Sequence, residues 1–346
     1  MRLLTCCLAL GLAGSPAFAN PVEEFYKGKQ IQLIVGYGPG GGYDVYARVV
    51  GRFFGRHLPG RPGVVVQSMP GAGSLRAANY IYVTAPKDGT ALATFGRNMA
   101  MISVLGGNPN VQFDARRFTW IGSPTSGQND GYLLWVRKDA KAKSLNDAQR
   151  AGGPEILLGG TSEGSTDTDI AALIKKTIGA NLRVVSGYPD GAAMSLAVER
   201  GEVEGRFIGL SAVESTLPEW LKPESFVRPM LQFARTTRLK EFPDVPTARE
   251  LAKDAISRQM IELAEIPYLL SRPLVGPPGI PSDRAAALQK AFLDMTKDPA
   301  FLADAGKLKI DISPLGAEDA LRMLDMLANA PEGVKDEIRK LQSGGG

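Results

Sequence analysis

One segment near the N-terminus restricts the possible folds of this chain more than any other. Residues 31–50 begin with a short, β-branched apolar run, continue through a turn of glycines around Pro39, and then carry apolar residues at helical spacing. This order predicts a strand buried on both faces, a loop and an amphipathic helix. Glycine lets a backbone approach a ligand closely, and the first N–H groups of a helix have no partner within it. The segment therefore predicts an anion-binding site.

The order of strand, turn and helix then repeats along the chain. Residues 64–66 predict a second strand, residues 69–74 a second glycine turn that leads into a helix, and residues 91–95 a third strand. Alternating strands and helices imply a parallel sheet with helices on both faces. Near the C-terminus, residues 269–275 also predict a strand. The fold class predicted is therefore α/β.

A second α/β series lies inside the first. It begins at Ser144, includes predicted strands at residues 156–158, 183–185 and 203–208, and is followed by a returning strand at residues 226–234. Such an insertion predicts two lobes, each a sheet flanked by helices, which are joined where the chain crosses twice. The predicted domains are residues 20–120 together with 235–346, and residues 121–234.

The first residues of the chain, 1–19, predict a signal peptide for export. Arg2 supplies a positive charge, a short apolar run follows, and Ala17-Phe18-Ala19 forms a small-residue cleavage motif. The apolar run is shorter than a membrane-spanning helix requires, and no later segment approaches that length. We therefore expect a mature chain that begins at Asn20 and is free in the periplasm of a two-membrane bacterium.

Cysteine and histidine are nearly absent from the sequence. Cys6 and Cys7 both lie within the predicted signal, so the mature chain has neither a disulfide nor a thiol nucleophile. His57 is the only histidine, which leaves too few ligands for a zinc site. The acidic residues Asp167 and Asp169 lack the spacing of a calcium loop. We expect neither a metal nor a cofactor.

The charge pattern favours a small anion over a nucleic acid. The formal net charge is +4, but the lysines and arginines are scattered along the chain. Nucleic-acid binding favours a clustered basic face with interleaved aromatic residues. A mild positive excess suits small anionic ligands. We expect a monomer that binds no nucleic acid.

The glycine loop also matches a dinucleotide-binding motif. Residues 36–41 fit G-x-G-x-x-G after a strand. That site needs an acidic residue at the end of the next strand to bind the ribose, and Gln67 and Ser68 stand there instead. Export would also remove the chain from the main nicotinamide pool. We therefore interpret the loop as a cradle for a carboxylate.

A second motif has the form of a hydrolase nucleophile turn. Residues 160–164 fit G-x-S-x-G after a predicted strand, with Ser162 in the position of the nucleophile. The mechanism needs a histidine, which follows the serine in chains of that fold. His57 precedes it. We expect no enzyme and no catalytic residue, and an exported serine hydrolase that uses Ser162 stays the alternative.

Ligands of open α/β sheets bind outside the carboxyl ends of the strands, and the candidate residues follow the predicted strand ends. Arg97 is the strongest candidate for a second carboxylate, because a guanidinium can donate two parallel hydrogen bonds. Asp44 is expected to orient its own loop by accepting backbone N–H groups. The candidate ligand-binding residues are Tyr37, Pro39, Gly40, Gly41, Gly42, Asp44, Arg97, Asn98, Thr161, Ser162, Ser165, Thr166, Tyr188 and Ser211.

Several motifs in a fixed order also carry a family resemblance. Pro39-Gly40-Gly41 is followed by Asp44 and Arg48, and the chain continues with Pro70-Gly71-Ala72-Gly73 and Pro86-Lys87-Asp88-Gly89-Thr90. Together they resemble the Bug-type receptors of tripartite tricarboxylate transporters over essentially the whole mature chain. Later motifs agree in order and spacing: Phe113-Asp114, Gly164-Ser165, Gly201-Glu202-Val203, Val245-Pro246-Thr247 and Pro277-Pro278-Gly279-Ile280-Pro281.

The resemblance implies a two-lobe periplasmic binding protein of the type II, Venus-flytrap architecture. Such a receptor closes around a small carboxylate and delivers it to membrane permease subunits. In that family one loop from each domain holds the carboxylate, partly through water, and the corresponding loops here are residues 37–44 and 161–166. A sensor that reports the ligand to a membrane signalling partner would use the same closed lobes and stays an alternative.

This chain departs from the family pattern near the second loop. Asp169 stands where a histidine is frequent, and Glu163 and Asp167 add further negative charge. This charge disfavours a tricarboxylate. A monocarboxylate that carries an amine, an amide or an aromatic ring is an equally good candidate.

Overall fold

The computed structural model describes residues 20–127, 130–162 and 164–342. The predicted signal of residues 1–19 and the side chain of Glu163 lie outside the described residues. Within the described part, no helix is long and apolar enough to cross a membrane.

The elements alternate along the chain as the sequence predicts for an α/β fold. The strands are β1 (Gln30–Val35), β2 (Gly63–Ser68), β3 (Ala91–Thr94), β4 (Thr119–Ser123), β5 (Tyr132–Arg137), β6 (Ile156–Gly159), β7 (Leu182–Val185), β8 (Gly205–Gly209), β9 (Val227–Phe233), β10 (Leu274–Gly276) and β11 (Leu315–Gly316). The helices are α1 (Pro21–Tyr26), α2 (Gly42–His57), α3 (Leu75–Val83), α4 (Met99–Leu105), α5 (Leu145–Gln149), α6 (Thr166–Ile178), α7 (Gly191–Arg200), α8 (Leu210–Thr216), α9 (Ala255–Glu265), α10 (Ser282–Met295), α11 (Pro299–Lys307), α12 (Ala317–Ala328) and α13 (Glu332–Gln342).

The sheet of the first lobe has the strand order β11-β4-β10-β3-β1-β2. Strand β1 lies between β2 and β3 and is parallel to both, with Val35 paired to Ser68 and to Thr94. Strand β10 is antiparallel to β3 and β4, and β11 is antiparallel to β4. The parallel strands therefore end at one edge, where the loops that follow Val35 and Thr94 lie side by side.

The sheet of the second lobe has the order β7-β6-β8-β5-β9. Strand β6 is parallel to β7 and β8, and β5 is antiparallel to β8 and β9. Both sheets share one arrangement: the first parallel strand is flanked by the second and third, and an antiparallel strand adjoins the third. The predicted α/β class, with two lobes that are each a sheet flanked by helices, is confirmed.

Helix α2 carries the glycine loop and is held in place by its apolar face. Val49 and Phe53 are buried on that face, and the ring of Phe53 meets the ring of Phe301 edge-on with 5.7 Å between centroids. Asp44 lies in the first turn and His57 in the last, which places each beside the end of the helix dipole that favours its charge. This packing fixes the N-terminus of α2 at the edge of the first sheet.

The C-terminal third of the chain packs on both lobes. Helix α10 packs against α2 and β4 in the first lobe, whereas α9 and α13 pack against α6 in the second. The domain limits inferred from the sequence stay a prediction.

The strand predicted at residues 269–275 is wrong over most of its length. Strand β10 covers only Leu274–Gly276, and the preceding segment Ile266–Leu269 forms a 3-10 turn. Pro273 lies within the predicted strand, directly before Leu274, and lacks the N–H that a strand ladder needs. Apolar residues at this point are buried because the chain crosses between lobes, as Leu270 and Tyr268 show, and not because they belong to a sheet.

A buried carboxylate connects segments of the chain that lie between strands β9 and β10. Glu265 accepts hydrogen bonds from the backbone N–H of Ala234 at 3.0 Å and from Nε of Arg249 at 2.5 Å. Burial raises the pKa of Glu265 from its usual value of 4.5 to about 7, although Arg249 opposes that change. Between these two pH values the folded chain keeps a proton that the unfolded chain has lost. Stability due to Glu265 is therefore present at low pH and falls as the pH rises through this window.

We expect Glu265→Gln to remove this loss of stability. The amide keeps an acceptor for the Ala234 N–H but does not ionise, so the free energy of unfolding should fall less between pH 4.5 and pH 7 than it does in the wild type. Urea denaturation at several pH values measures this slope. The exposed Glu318→Gln variant should keep the wild-type slope, and an unchanged slope in Glu265→Gln would contradict the assignment.

A glycine in α2 provides a second test of the packing. A Cβ atom added to Gly55 would lie 2.0 Å from the carbonyl oxygen of Pro62, whereas one added to Gly306 in α11 would meet no atom within 4 Å. Alanine is normally the better helix former by about 1 kcal/mol. Gly306→Ala should therefore raise the free energy of unfolding, while Gly55→Ala should lower it by about 1–3 kcal/mol through the clash with backbone. A higher free energy of unfolding for both variants in chemical denaturation would contradict this packing.

Candidate functional site

A cleft lies where the ends of the two sheets face each other. It encloses a cavity of about 200 Å³. Residues of both lobes line it, together with Arg272 from the segment just before β10. The first lobe contributes Tyr37, Gly40, Gly41, Gly42, Tyr43 and Arg97, and the second contributes Thr161, Asp167 and residues near α7 and α8.

The first loop of the cleft joins β1 to α2 and is held by a side chain of the helix. The carboxylate of Asp44 accepts the backbone N–H of Gly40 at 2.9 Å and Nε of Arg48 at 2.8 Å. Gly40 has a φ of +85°, a conformation that favours glycine. Helix α2 begins at Gly42 without a side-chain cap, so its first N–H groups are left to a ligand or water. Asp44 thus occupies the orienting position that the sequence suggested.

The second loop joins β6 to α6 and uses the same kind of contact. The carboxylate of Asp167 accepts the backbone N–H of Thr161 at 2.8 Å and the Thr161 hydroxyl at 3.1 Å. The Ser165 hydroxyl lies 2.5 Å from the same carboxylate. In each loop a carboxylate from the first turn of the following helix therefore accepts a backbone N–H of the loop, that of Gly40 in the first and that of Thr161 in the second.

The two lobes contact each other around these loops. The side-chain amide of Asn98 donates to the carbonyl of Gly164 at 2.8 Å and to Asp169 at 3.1 Å, and its oxygen accepts from the Thr166 hydroxyl at 3.0 Å. A Cβ atom added to Gly73 would lie 2.7 Å from Cβ of Ser165. The two lobes are therefore in contact across the cleft, and Asn98 makes the hydrogen bonds between them.

Arg97 is buried at the floor of the cleft among tyrosine rings. Its guanidinium carbon lies 4.6 Å from the ring centre of Tyr268, 5.1 Å from that of Tyr132 and 6.0 Å from that of Tyr43. Its Nε donates to the Tyr43 hydroxyl at 3.3 Å. Burial, against the opposing effect of Arg97, raises the pKa of Tyr132 to about 12. Among the described residues, no carboxylate forms an ion pair with Arg97.

Two further buried arginines reach the cleft and were not found from the sequence. Arg206 lies on β8, and its Nη1 donates to the hydroxyl of Ser195 at 2.8 Å and to the carbonyl of Gly191. Arg272 lies over the ring of Tyr46 at 4.0 Å and within 3.6 Å of the Asp130 carboxylate. An arginine inside a strand pattern or beside an apolar run gives no periodic signal of its own, so only its location in the fold reveals it.

The structure places the predicted residues in three groups. Tyr37, Gly40, Gly41, Gly42, Arg97 and Thr161 line the cavity. Asp44, Asn98, Ser165, Thr166 and Ser211 bind loops or the opposite lobe behind it. Pro39, Ser162 and Tyr188 lie in or beside the loops without lining the cavity. A direct role of these residues in ligand binding stays a prediction.

The arrangement gives no support to a serine hydrolase. His57 is the last residue of α2, and its Nε2 lies 3.0 Å from Asp298. Because α2 begins at the cleft and rises ~1.5 Å per residue, His57 lies about 22 Å along the helix from Gly42, at the end that points away from the cleft. Within the described residues, no group of histidine, cysteine and acidic side chains could hold a metal.

Comparisons with known proteins identify the fold. No protein-family model matches the sequence, and no curated protein matches it significantly. The structure is similar to that of the periplasmic binding protein BugD, with a TM-score of 0.69 and 16% identity over 91% of this chain and 98% of that one. It is also similar to R. palustris Rpa4515 with adipate, with a TM-score of 0.68 and 19% identity over 91% and 98%. MatC from Rhodopseudomonas palustris with bound malate gives a TM-score of 0.62 and 20% identity over 91% and 98%.

These neighbours define the class of fold to which the chain belongs. It is the two-lobe fold of the Bug-type periplasmic binding proteins, and the similarity extends over almost the whole length of each neighbour. The resemblance inferred from the glycine-loop motifs is therefore confirmed at the level of the fold.

We expect Asn98→Ala to shift the protein towards open lobes. The change removes three hydrogen bonds between the lobes, each worth about 1 kcal/mol. Small-angle X-ray scattering should then show a larger radius of gyration. Asn79→Ala is the matched control, because Asn79 binds Asn110 and Gln112 within the first lobe, and it should leave the radius unchanged. Equal radii for Asn98→Ala and the wild type would contradict the proposed closure contact.

Proposed function

We propose that this chain is a periplasmic solute-binding receptor that captures a small carboxylate between its two lobes. It would deliver the carboxylate to the membrane permease subunits of a tripartite tricarboxylate-type transporter. The observation that carries the proposal is the pair of facing loops, each at the N-terminus of a helix and each fixed by its own carboxylate, Asp44 and Asp167. Residues 1–19 would direct export, and the receptor would act as a monomer without a cofactor.

The similar structures support a carboxylate as the ligand. Rpa4515 is described with adipate and MatC with malate, and both have the fold of this chain. A small carboxylate as the ligand of the present protein also agrees with the size of the cleft. A cavity of about 200 Å³ is smaller than the ~300–1,000 Å³ of pockets for drug-sized ligands.

Binding energy explains why two lobes are needed. A micromolar dissociation constant corresponds to about 8 kcal/mol. One helix N-terminus contributes at most about 2 kcal/mol to a bound anion. Several donors from both lobes must therefore converge on the ligand, and closure strengthens each of them by excluding water. A ligand that makes some of its contacts only with closed lobes shifts the protein towards the closed state.

The proposal includes binding without turnover. The cleft presents N–H groups, arginines and tyrosines, and the serine of the G-x-S-x-G motif has no histidine near it. Incubation with a bound carboxylate should therefore return the ligand unchanged.

A thermal-shift screen with a panel of small carboxylates tests the proposal. A ligand that binds only the folded chain raises the midpoint of unfolding, and the rise depends on ligand concentration. At least one carboxylate should give such a rise, and uncharged amides of the same size should not. A panel that gave no rise with any carboxylate would refute the proposed function.

A variant of the glycine loop tests whether the carboxylate that raises the midpoint of unfolding binds in the cleft. Gly41 has the extended conformation that any residue can adopt, and a Cβ atom there meets nothing within 4 Å. Gly41→Val should therefore fold normally, fill the loop and abolish at least nine-tenths of the affinity for the carboxylate found in the screen. Gly333→Val, at an exposed glycine of α13 with equal free space, should keep the wild-type affinity.

A further inference from the structure

The cavity continues beyond the loops as a channel along α7. Ala192, Leu196 and Glu199 lie on one face of this helix and line the cavity, and Thr216 and Leu217 line it at the end of α8. Glu199 is eight residues from the first residue of α7, which corresponds to about 12 Å at ~1.5 Å per residue. The site therefore has an inner end at the glycine loops and an outer end near Glu199.

The charges of the side chains around the inner end cancel. Three arginines are buried there, namely Arg97, Arg206 and Arg272, and three aspartates accompany them: Asp130 and Asp167, which are buried, and the half-buried Asp190, which lies against Gly38 and acts on Arg206. The neighbouring Asp44 is already paired with Arg48 at 2.8 Å. Because no positive charge is left over, burying more than one carboxylate at this end would be costly, and a single carboxylate depends on the free N–H groups at the start of α2.

The outer end has the opposite character. Leu196 and Leu217 give it apolar walls, and the carboxylate of Glu199 is exposed at the rim. The only ionisable side chain of the described cavity lining at this end is thus acidic. An elongated ligand whose carboxylate occupies the glycine loops would bring its far end close to Glu199. A second carboxylate at that end would be repelled, and an ammonium group would be attracted.

We propose that the ligand has one net charge at most, with a carboxylate at the glycine loops and an apolar or ammonium-bearing tail along α7. Glu199 is the residue that selects against a second carboxylate. This inference rests on the proposed carboxylate receptor and narrows its ligand to monocarboxylates and ω-amino carboxylates. The cavity volume of about 200 Å³ suits a tail of a few carbon atoms.

Three probes of equal chain length test this assignment: hexanoate, adipate and 6-aminohexanoate. They differ only in the far group, which is a methyl, a carboxylate or an ammonium. Isothermal titration of the wild type at low ionic strength should give a dissociation constant for adipate at least threefold above those of the other two. Added salt should reduce this difference, because it screens the exposed Glu199.

The Glu199→Gln variant tests whether Glu199 causes the difference between the dissociation constants of the three probes. It should bind adipate about three- to tenfold more tightly than the wild type does, bind 6-aminohexanoate more weakly by a similar factor, and bind hexanoate equally well. Glu202→Gln is the matched control, because Glu202 is exposed just beyond the end of α7 and does not line the cavity. It should leave all three dissociation constants unchanged.

Two orders of affinity would overturn the inference without touching the proposed function. One is a wild-type protein that binds adipate more tightly than both other probes, and the other is an unchanged order of affinities in Glu199→Gln. Binding of none of the three probes would also overturn it, since the channel would then not accept such a tail. The carboxylate receptor itself is judged separately, by the wider thermal-shift panel and the Gly41→Val variant.

Discussion

Both halves of the cleft depend on one local interaction, in which a carboxylate of the first helical turn accepts an N–H of the preceding loop. Asp44 binds Gly40 in the first lobe, and Asp167 binds Thr161 in the second. This contact fixes the loop against its helix while the next N–H groups stay directed at the cleft. The negative side chain therefore lies inside the protein beside the positive end of a helix dipole, and an anion can still bind in front of the helix.

The acidic residues near the second loop therefore have a different meaning in the structure than in the sequence. Read along the chain, Asp167 and Asp169 suggest repulsion of a highly charged ligand. In the fold, Asp167 is occupied by hydrogen bonds from its own loop, and Asp169 accepts one from Asn98 of the opposite lobe. Their charge still counts in the balance of the buried cleft, but the side chains act on the loop and on closure. The same residues thus connect local loop geometry with the contact between the lobes.

Much of the fold could be predicted from the sequence because its signals are local. The alternation of apolar strands, glycine turns and amphipathic helices predicts both sheets, and motifs after β1 and β6 predict the two loops of the cleft. The error at residues 269–275 has a physical reason: Tyr268 and Leu270 are apolar and buried, as strand residues are, but they lie where the chain crosses between lobes. A single sequence does not distinguish residues that are buried against the other lobe from residues that are buried within a sheet.

Local patterns in the amino-acid sequence were enough to predict the α/β class, the position of the glycine loops and the orienting position of Asp44, since each depends on residues within a few positions of one another. Only the tertiary structure brought Arg97, Arg206 and Arg272 to one end of a cavity and Glu199 to the other. These residues come from a loop, a strand, a crossing and a helix that are far apart along the chain. Their charges act through space, so the balance that limits the ligand exists only once the lobes have folded and met.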